Sequence, residues 1–345
     1  MRAEQSRAEQ SRAEQSRAEQ SRAEQRNTVI DIAKGIGMLL VVFGHLSERT
    51  QALRILAYSF HMPLFFIISG FLLNMKKTVR QSIGKDLLKF VLPAYGILLF
   101  DSMICLLRYV MVDKAVIPSL IDWIKGVLLY GGVLWNSPIW FLLTLFLCKY
   151  LFVYCNRLQQ VLPYIVALFC ICICSMDINR LFPSWWLFNV IMAFPFFVAG
   201  VFVKYIWGKM VPFKAWVSII LTGVWIVLSL YNGYTDIHIQ MNGKNYLLFL
   251  VTGMIGSYLC VILSAAISKA RWCRLLEYIG RNSFIVLITH YYVCRGFIPV
   301  TLNYFNVKSN IWMQCFMTLV VILLYYGIFS TYMWLNKNKI LAKLQ

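Results

Sequence analysis

The chain has 345 residues, of which 60% are hydrophobic and 14% charged, whereas about 25% of a soluble domain is charged. This composition excludes an ordinary soluble enzyme and is typical of a protein that crosses a membrane many times. The net charge of +19 does not indicate nucleic-acid binding, because the basic residues lie in short loops between apolar segments, where cytoplasmic positive charge is expected.

The first element along the chain is a tandem repeat. Residues 1–25 repeat the unit Arg-Ala-Glu-Gln-Ser after the initiator methionine, and their Arg and Glu charges cancel. A five-residue period advances about 140° per unit on a helix, so no apolar face accumulates, and the apolar stretch of a signal peptide is missing. We interpret residues 1–25 as a solvated cytoplasmic tail, disordered or loosely helical.

Ten apolar segments follow, each close to the roughly 20 residues that a bilayer-spanning helix needs. They lie at 28–46, 53–74, 87–111, 137–155, 161–176, 185–206, 213–231, 245–267, 283–300 and 311–335. With ten spans, the most basic loops and the C-terminal tail fall on the same side as the N-terminus. The sequence therefore predicts an all-α, polytopic integral membrane protein of about ten transmembrane helices, with both termini in the cytoplasm. Its membrane domain would cover residues 26–337, followed by a basic cytoplasmic tail at 338–345.

Two outer connections carry patterns of their own. Residues 118–130, between the third and fourth spans, are amphipathic and are expected to lie flat on the outer surface. Residues 231–245 form the most polar outer connection; they contain Asn-Gly pairs that indicate turns, together with Asp236 and His238. This second connection is either a plain solvated loop or a segment at the edge of the substrate site that contacts the substrate.

The first span carries a polar stripe. At about 100° per residue, Asp31, Lys34 and His45 project within about 60° of one another, and Asp31 and Lys34 are close enough in sequence to pair. Ionisable groups inside a span are costly and usually mark a functional interior. Alternatively, Asp31 and Lys34 lie at the cytoplasmic headgroups, with Lys34 snorkelling, and take no part in chemistry. His45 lies about three turns further along, towards the opposite face.

The second span predicts a cavity wall. Pro63 lacks an N–H group and should kink the helix, which frees a backbone carbonyl. Freed backbone is tolerated in a membrane only where protein or a cavity satisfies it. His61 and Ser69 project about 80° apart on this helix, and Gly70 allows close backbone approach. We expect His61 and Ser69 to line that cavity.

These two spans also resemble a known family. The first contains D-x-x-K-G and, further on, V-x-G-H, and the second reads F-H-M-P-L-F-F-x-x-S-G-F-L. The combination resembles the start of the membrane acyltransferase 3 family, which are multi-span O-acyltransferases of cell-surface sugars, and in particular the branch similar to fucose 4-O-acetylases. Many members have an arginine where this chain has Lys34, eleven residues before His45. The positive charge is kept here, but the bidentate fork of an arginine is lost.

The resemblance implies that an acetyl group passes from acetyl-CoA, a donor substrate rather than a bound cofactor, to a sugar hydroxyl. His45 would be the base that takes the hydroxyl proton or a transient carrier of the acyl group, with Lys34 and Asp31 supporting it. Cations at the cytoplasmic face would bind the donor phosphates, and the candidates are Lys76, Lys77 and Arg281. Each of these three is also explained as ordinary positive-inside charge.

Two later residues complete the predicted site. His290 follows R-N-S, which is similar to the family's late Gly-x-x-Ser then His pattern; a hydrogen bond to a neighbouring helix is the alternative explanation. Trp140 is similar to a tryptophan at the outer start of a family span, where interfacial anchoring is the alternative. We expect both to line the substrate site with His61 and Ser69. No cysteine or histidine cluster has metal-ligand spacing, so no metal is expected.

The sequence thus favours an O-acetyltransferase of the bacterial cytoplasmic (inner) membrane that modifies a surface polysaccharide or its lipid-linked precursor. The expected partners are acetyl-CoA, this glycan acceptor and membrane lipid. A glycan or lipid transporter or flippase, with Asp31 and the histidines as a proton relay, is the alternative. Transporters often contain paired broken helices, whereas a single kinked histidine span is evident in this sequence. A structural partner of a capsule assembly complex is a third possibility.

Overall fold

The computed structural model describes residues 28–46, 51–75, 79–93, 95–97, 99–100, 103, 139–176, 187–206, 215–298, 304 and 310–342. Three of the predicted features lie outside these residues: the repeat at 1–25, the amphipathic segment at 118–130, and the pair Lys76 and Lys77. The predicted basic tail at 338–345 lies partly outside them.

Helices make up nearly all of the described residues. In chain order they are α1 (Thr28–Leu46), α2 (Ala52–Phe71), α3 (Val79–Asp86), α4 (Ile139–Leu158), α5 (Leu162–Ser175), α6 (Leu187–Ile206), α7 (Ala215–Asn232), α8 (Tyr246–Ile267), α9 (Cys273–Arg281), α10 (Ser283–Tyr291) and α11 (Ile311–Ala342). Both α3 and α10 continue into a π-helical turn, at Leu87–Val91 and Tyr292–Phe297. A two-stranded antiparallel hairpin, β1 (Thr235–Asp236) and β2 (Met241–Asn242), lies between α7 and α8.

Seven of the described helices are long and apolar enough to cross a membrane, namely α1, α2, α4, α6, α7, α8 and the apolar part of α11. α5 and α10 are apolar but shorter. All nine coincide with predicted spans, and the remaining predicted span, at 87–111, lies partly outside the described residues. The chain is therefore a mostly helical, multi-pass membrane protein, while the total of ten spans and the orientation of the termini stay predictions.

α2 lies at the centre of the described helices and is buried on most of its surface. It packs most extensively against α6, where the two backbones approach closely at a pair of glycines. A Cβ added to Gly70 would overlap the carbonyl oxygen of Phe197, and one added to Gly200 would overlap that of Ile67. Small residues at such crossings let membrane helices associate by backbone packing.

α8 packs against α2 through two further glycines. Gly253 faces the rings of Pro63 and Phe196, and Gly256 faces Phe60. α2 is one helix on both sides of Pro63, and the kink predicted at this proline stays a prediction. α2 is thus packed closely against α6 on one side and against α8 on another.

We expect Gly200→Ala to destabilise the protein, because the new methyl group would meet the Ile67 carbonyl on α2. In a helix with free space the same change would instead stabilise by up to about 1 kcal/mol. Gly223→Ala in α7 is the matched control, since a Cβ there would meet no described atom within 4 Å. Thermal unfolding in detergent, monitored by fluorescence-detected size-exclusion chromatography, should give a midpoint below that of the wild type for Gly200→Ala only. Equal midpoints for the two variants would contradict the close crossing.

Candidate active site

α1 is fixed near one end by a close backbone crossing with α9. A Cβ on Gly35 would overlap the carbonyl oxygen of Leu276, and a Cβ on Gly280 would overlap that of Asp31. Neither position has room for a side chain, which gives a physical reason for both glycines. Because only Asn282 separates the end of α9 from the start of α10, the crossing also sets the position of α10 relative to α1.

A small charged cluster surrounds this crossing. Lys34 Nζ lies 2.6 Å from Oδ1 of Asp31, and Arg281 Nε lies 3.4 Å from Oδ2 of the same carboxylate. Arg281 also pairs with Glu277, one turn earlier on α9. The side chains of Asp31 and Lys34 are 18% and 21% exposed, against 58% for Arg281. The pairing predicted for Asp31 and Lys34 is therefore present, and Arg281, predicted as a separate cation, joins it.

A cavity of about 190 Å³ lies beside this cluster. Two predicted site residues line it, Lys34 and Ser69, and Lys89 on the π-helical turn after α3 is a second cation at its wall. The other walls come from α1, α2, α4 and α10 and are mostly apolar, with Met38, Met62, Phe65, Phe141 and Leu287 among them. A cavity with cations on an otherwise apolar lining suits a ligand that has both a charged and an apolar part.

His45 meets His290 near the other end of α1. The ring centroids are 5.0 Å apart with 47° between the ring planes. The ring of Tyr291 packs edge-on against His45 at 5.6 Å. His290 is 1% exposed, and its Nδ1 lies 3.0 Å from the carbonyl oxygen of Val286. Two histidines that the sequence placed on remote spans therefore share one site.

The polar stripe on α1 runs along α9 and α10. Asp31 pairs with Arg281 at one end, and His45 contacts His290 at the other. Between them Lys34 lines the cavity, whose wall on α10 ends one turn before His290. The order along α1 is thus a cation cluster, a largely apolar cavity and a pair of imidazoles.

His61 lies apart from the cavity, although we expected it to share a wall with Ser69. Its Nδ1 lies 2.9 Å from the carbonyl oxygen of Ala57, and its ring packs against Tyr58 with centroids 4.6 Å apart. Ser69 lines the cavity and donates a hydrogen bond of 2.7 Å to the carbonyl oxygen of Phe65. Eight residues of helix separate His61 from Ser69, a rise of about 12 Å, so the two side chains lie at different depths.

A buried arginine that the sequence analysis did not single out lies one turn before Tyr58. Arg54 is 5% exposed and donates to the hydroxyls of Tyr58 and Tyr234, each at 3.2 Å, with its guanidinium over both rings. Tyr234 donates in turn to a carboxylate oxygen of Asp236 at 2.9 Å. Arg54 lies in the first turn of α2, where snorkelling to the interface is the ordinary explanation of an arginine, so its position in the sequence is a weak signal for this cluster.

Residues 233–245 pack onto the helices as a hairpin and are not a plain exposed loop. Thr235 donates to the carbonyl oxygen of Tyr58 at 3.3 Å, and Asn242 donates to that of Cys174 at the same distance. Ile237 is fully buried. Gly243 takes a φ of +68°, which a glycine adopts without strain. The polar composition of the segment therefore reflects hydrogen bonds that attach it to α2 and α5.

The hairpin also covers Trp140. The ring of His238 stacks on the indole with centroids 5.1 Å apart and 21° between planes, and the backbone N–H of His238 donates to Asp236 at 2.9 Å. Burial lowers the pKa of His238, opposed in part by the Asp236 carboxylate. Burial and the same carboxylate raise the pKa of Tyr234. Both groups are therefore neutral near pH 7, and Trp140 contacts protein at this end of α4.

No group of three or more His, Cys, Asp or Glu side chains could hold a metal ion within the described part of the chain. The roles predicted for Lys76 and Lys77 fall on residues outside that part, and they stay predictions.

Comparison with known proteins gives a family match over most of the chain. A family profile described as an acyltransferase domain, that of acyltransferase 3, matches residues 27–330. Nodulation protein NolL of Mesorhizobium japonicum is 36% identical over 81 residues, which are 20% of this chain and 22% of that protein. The match therefore spans about a fifth of the length of this relative. No solved structure matches the chain.

We expect acid to destabilise the hairpin through His238. Because the pKa of this group is lowered in the folded protein, below about pH 6.5 the unfolded chain takes up a proton that the folded chain does not. As the pH is lowered below this value, the free energy of unfolding should decrease by at most about 1.4 kcal/mol per pH unit for this one group. Unfolding midpoints in detergent, compared near pH 7.5 and near pH 5, should drop less in His238→Gln than in the wild type. Equal drops would show that His238 does not contribute.

Proposed function

Because the chain belongs to the acyltransferase 3 family of membrane acyltransferases, we propose that it moves an acetyl group from cytoplasmic acetyl-CoA to a sugar hydroxyl. The acceptor is a surface polysaccharide or its lipid-linked precursor, and the site of action is the bacterial cytoplasmic membrane. The observation that carries the proposal is the order of groups along α1, in which cations, an apolar cavity and two imidazoles follow one another.

The chemistry of the donor fits this order. Coenzyme A carries its phosphates at one end, continues as an extended pantetheine arm and ends in the thioester. Lys34, Lys89 and Arg281 provide positive charge for the phosphates, and the apolar cavity takes the arm. His45 lies eleven residues beyond Lys34, a rise of about 16 Å, which an extended pantetheine arm covers. A donor held at the cations therefore presents its thioester towards the imidazole pair.

His45 supplies the base in this proposal. One ring nitrogen takes the proton of the acceptor hydroxyl while the oxygen attacks the thioester carbonyl carbon. The tetrahedral intermediate then breaks its C–S bond, and the departing thiolate takes the proton back from the imidazolium. In the alternative route His45 attacks the thioester itself, and the C–S bond breaks to give the thiolate of coenzyme A and an acetylated ring nitrogen. The acceptor hydroxyl oxygen then attacks the acetyl carbon, the bond to the ring nitrogen breaks, and the hydroxyl proton ends on the thiolate. Both routes use the same residue and release free coenzyme A.

A transporter or flippase is a weaker explanation of the same residues. Transporters commonly place broken helices at their binding site. α2 and α6, two described helices with an internal proline, each continue through that proline as one helix. A transporter would also move its glycan without consuming a thioester, so the release of coenzyme A separates the two functions.

We expect His45→Ala to abolish acetyl transfer, because the loss of a general base costs on the order of 10²- to 10⁴-fold in rate. The assay uses membranes from cells that produce the protein, supplied with radiolabelled acetyl-CoA. It follows label in the glycan and lipid-linked sugar fractions together with free thiol. Cys172→Ala, at an exposed position on α5, is the matched control and should retain activity. Normal labelling by His45→Ala protein, at wild-type membrane levels, would refute the assignment.

Lys34 should act through its charge. We expect Lys34→Arg to retain activity, because it keeps a cation beside Asp31. Lys34→Met should raise the KM for acetyl-CoA by roughly tenfold or more, because a charge-assisted contact worth about 1.5–3 kcal/mol is lost. Initial rates of thiol release over a range of acetyl-CoA concentrations measure both variants. An unchanged KM in Lys34→Met would place the donor phosphates elsewhere.

A further inference from the structure

His290 has a buried nitrogen that its immediate surroundings do not satisfy. Its Nδ1 lies against the carbonyl oxygen of Val286, and a carbonyl can only accept a hydrogen bond, so in the neutral ring Nδ1 carries the proton. Nε2 then carries no proton, and its lone pair can only accept a hydrogen bond. This atom is buried and has no hydrogen-bond partner among the described residues. Leaving a buried acceptor unsatisfied is costly in a membrane interior, and such an atom at a candidate site therefore needs an explanation.

The neighbouring ring of His45 provides that explanation. Its centroid lies 5.0 Å from that of His290, and at this separation a rotation about the side-chain torsions brings one nitrogen of each ring within hydrogen-bond range. The second torsion of histidine is broad rather than locked in a narrow well. Contacts of this kind are often long in a substrate-free site and tighten when substrate binds.

We propose that His290 is the positioning residue of His45, with its Nε2 accepting the N–H of the second His45 nitrogen during acetyl transfer. The inference rests on the proposed function, in which His45 is the base. The hydrogen bond fixes which His45 nitrogen faces the acceptor hydroxyl. It also stabilises the imidazolium that forms when that nitrogen takes the hydroxyl proton. When the C–S bond breaks, the same proton returns to the thiolate, and the proton shared with His290 stays between the rings.

Two amide variants of His290 separate this role from a structural one. The amide of glutamine reaches about as far as Nε2 of histidine, so His290→Gln keeps an acceptor towards His45. The amide of asparagine reaches about as far as Nδ1, so His290→Asn keeps only the hydrogen bond to Val286. Positioning of His45 predicts that Gln is the better substitute, whereas a purely structural role predicts the reverse.

The experiment measures kcat and the KM for acetyl-CoA in membranes with radiolabelled acetyl-CoA, at matched protein levels. We expect His290→Asn to lower kcat at least tenfold with KM within about twofold, since the loss falls on the chemical step. His290→Gln should retain most of the activity. Wild-type kcat in His290→Asn, or a higher kcat in His290→Asn than in His290→Gln, would overturn the proposal.

Failure of this inference is distinguishable from failure of the proposed function. If His45→Ala is inactive and His290→Asn is fully active, only the pairing of the two rings is wrong. If His45→Ala is active, the base itself is assigned wrongly.

A measurement on the wild-type protein decides the question if His290→Asn does not fold. Nitrogen NMR of protein with isotope-labelled histidine, assigned with His290→Gln, should show Nδ1 of His290 protonated and Nε2 unprotonated at neutral pH. A proton on Nε2 would overturn the proposal.

Discussion

The close crossing of α1 and α9 determines how the rest of the candidate site is arranged. Gly35 and Gly280 each leave room only for a carbonyl group of the opposing helix, so α1 cannot slide or turn on α9 without a clash. Since α10 follows α9 directly, its distance and depth relative to α1 are set at the same place. The contact between His45 and His290 lies ten residues from Gly35, about 15 Å of helix rise, and depends on that crossing.

Two carboxylates in the described part of the membrane domain have partners on other helices. Asp31 is shared between α1 and α9, and Asp86 accepts hydrogen bonds from Lys149 and Tyr150, which attaches α3 to α4. An unpaired carboxylate inside a membrane span is costly, although solvent screens the Asp31–Arg281 pair, since the side chain of Arg281 is 58% exposed. The charges therefore act as specific attachments between helices that otherwise present apolar surfaces to one another. His290 differs from these carboxylates, because its buried Nε2 has no hydrogen-bond partner in the described part of the chain, and we interpret its role as chemical for that reason.

Periodicity and apolar length were sufficient to place most of the helices, because a membrane permits few alternatives to a helix of about 20 residues. The projection of α1 also identified a stripe that the structure keeps on one side. The sequence could not show which helix faces that stripe, since His45 and His290 are remote in the chain and meet only through packing. His61 and Ser69 show a related limit, because a projection gives the angle of a side chain but not its depth. The burial of Arg54 under the hairpin has the same origin as the contact between the two histidines, because its partner Tyr234 lies 180 residues further along the chain.

The hairpin between α7 and α8 has a consequence for the end of α2 that it covers. Arg54 lies beneath it and bonds one tyrosine from α2 and one from the hairpin. Lifting the hairpin would break the second bond and remove the Tyr234 ring from the Arg54 guanidinium, and a hydrogen bond to a charged group is worth about 1.5–3 kcal/mol. The hairpin therefore acts as a fixed cover over the start of α2, where Arg54 and Tyr58 are both buried.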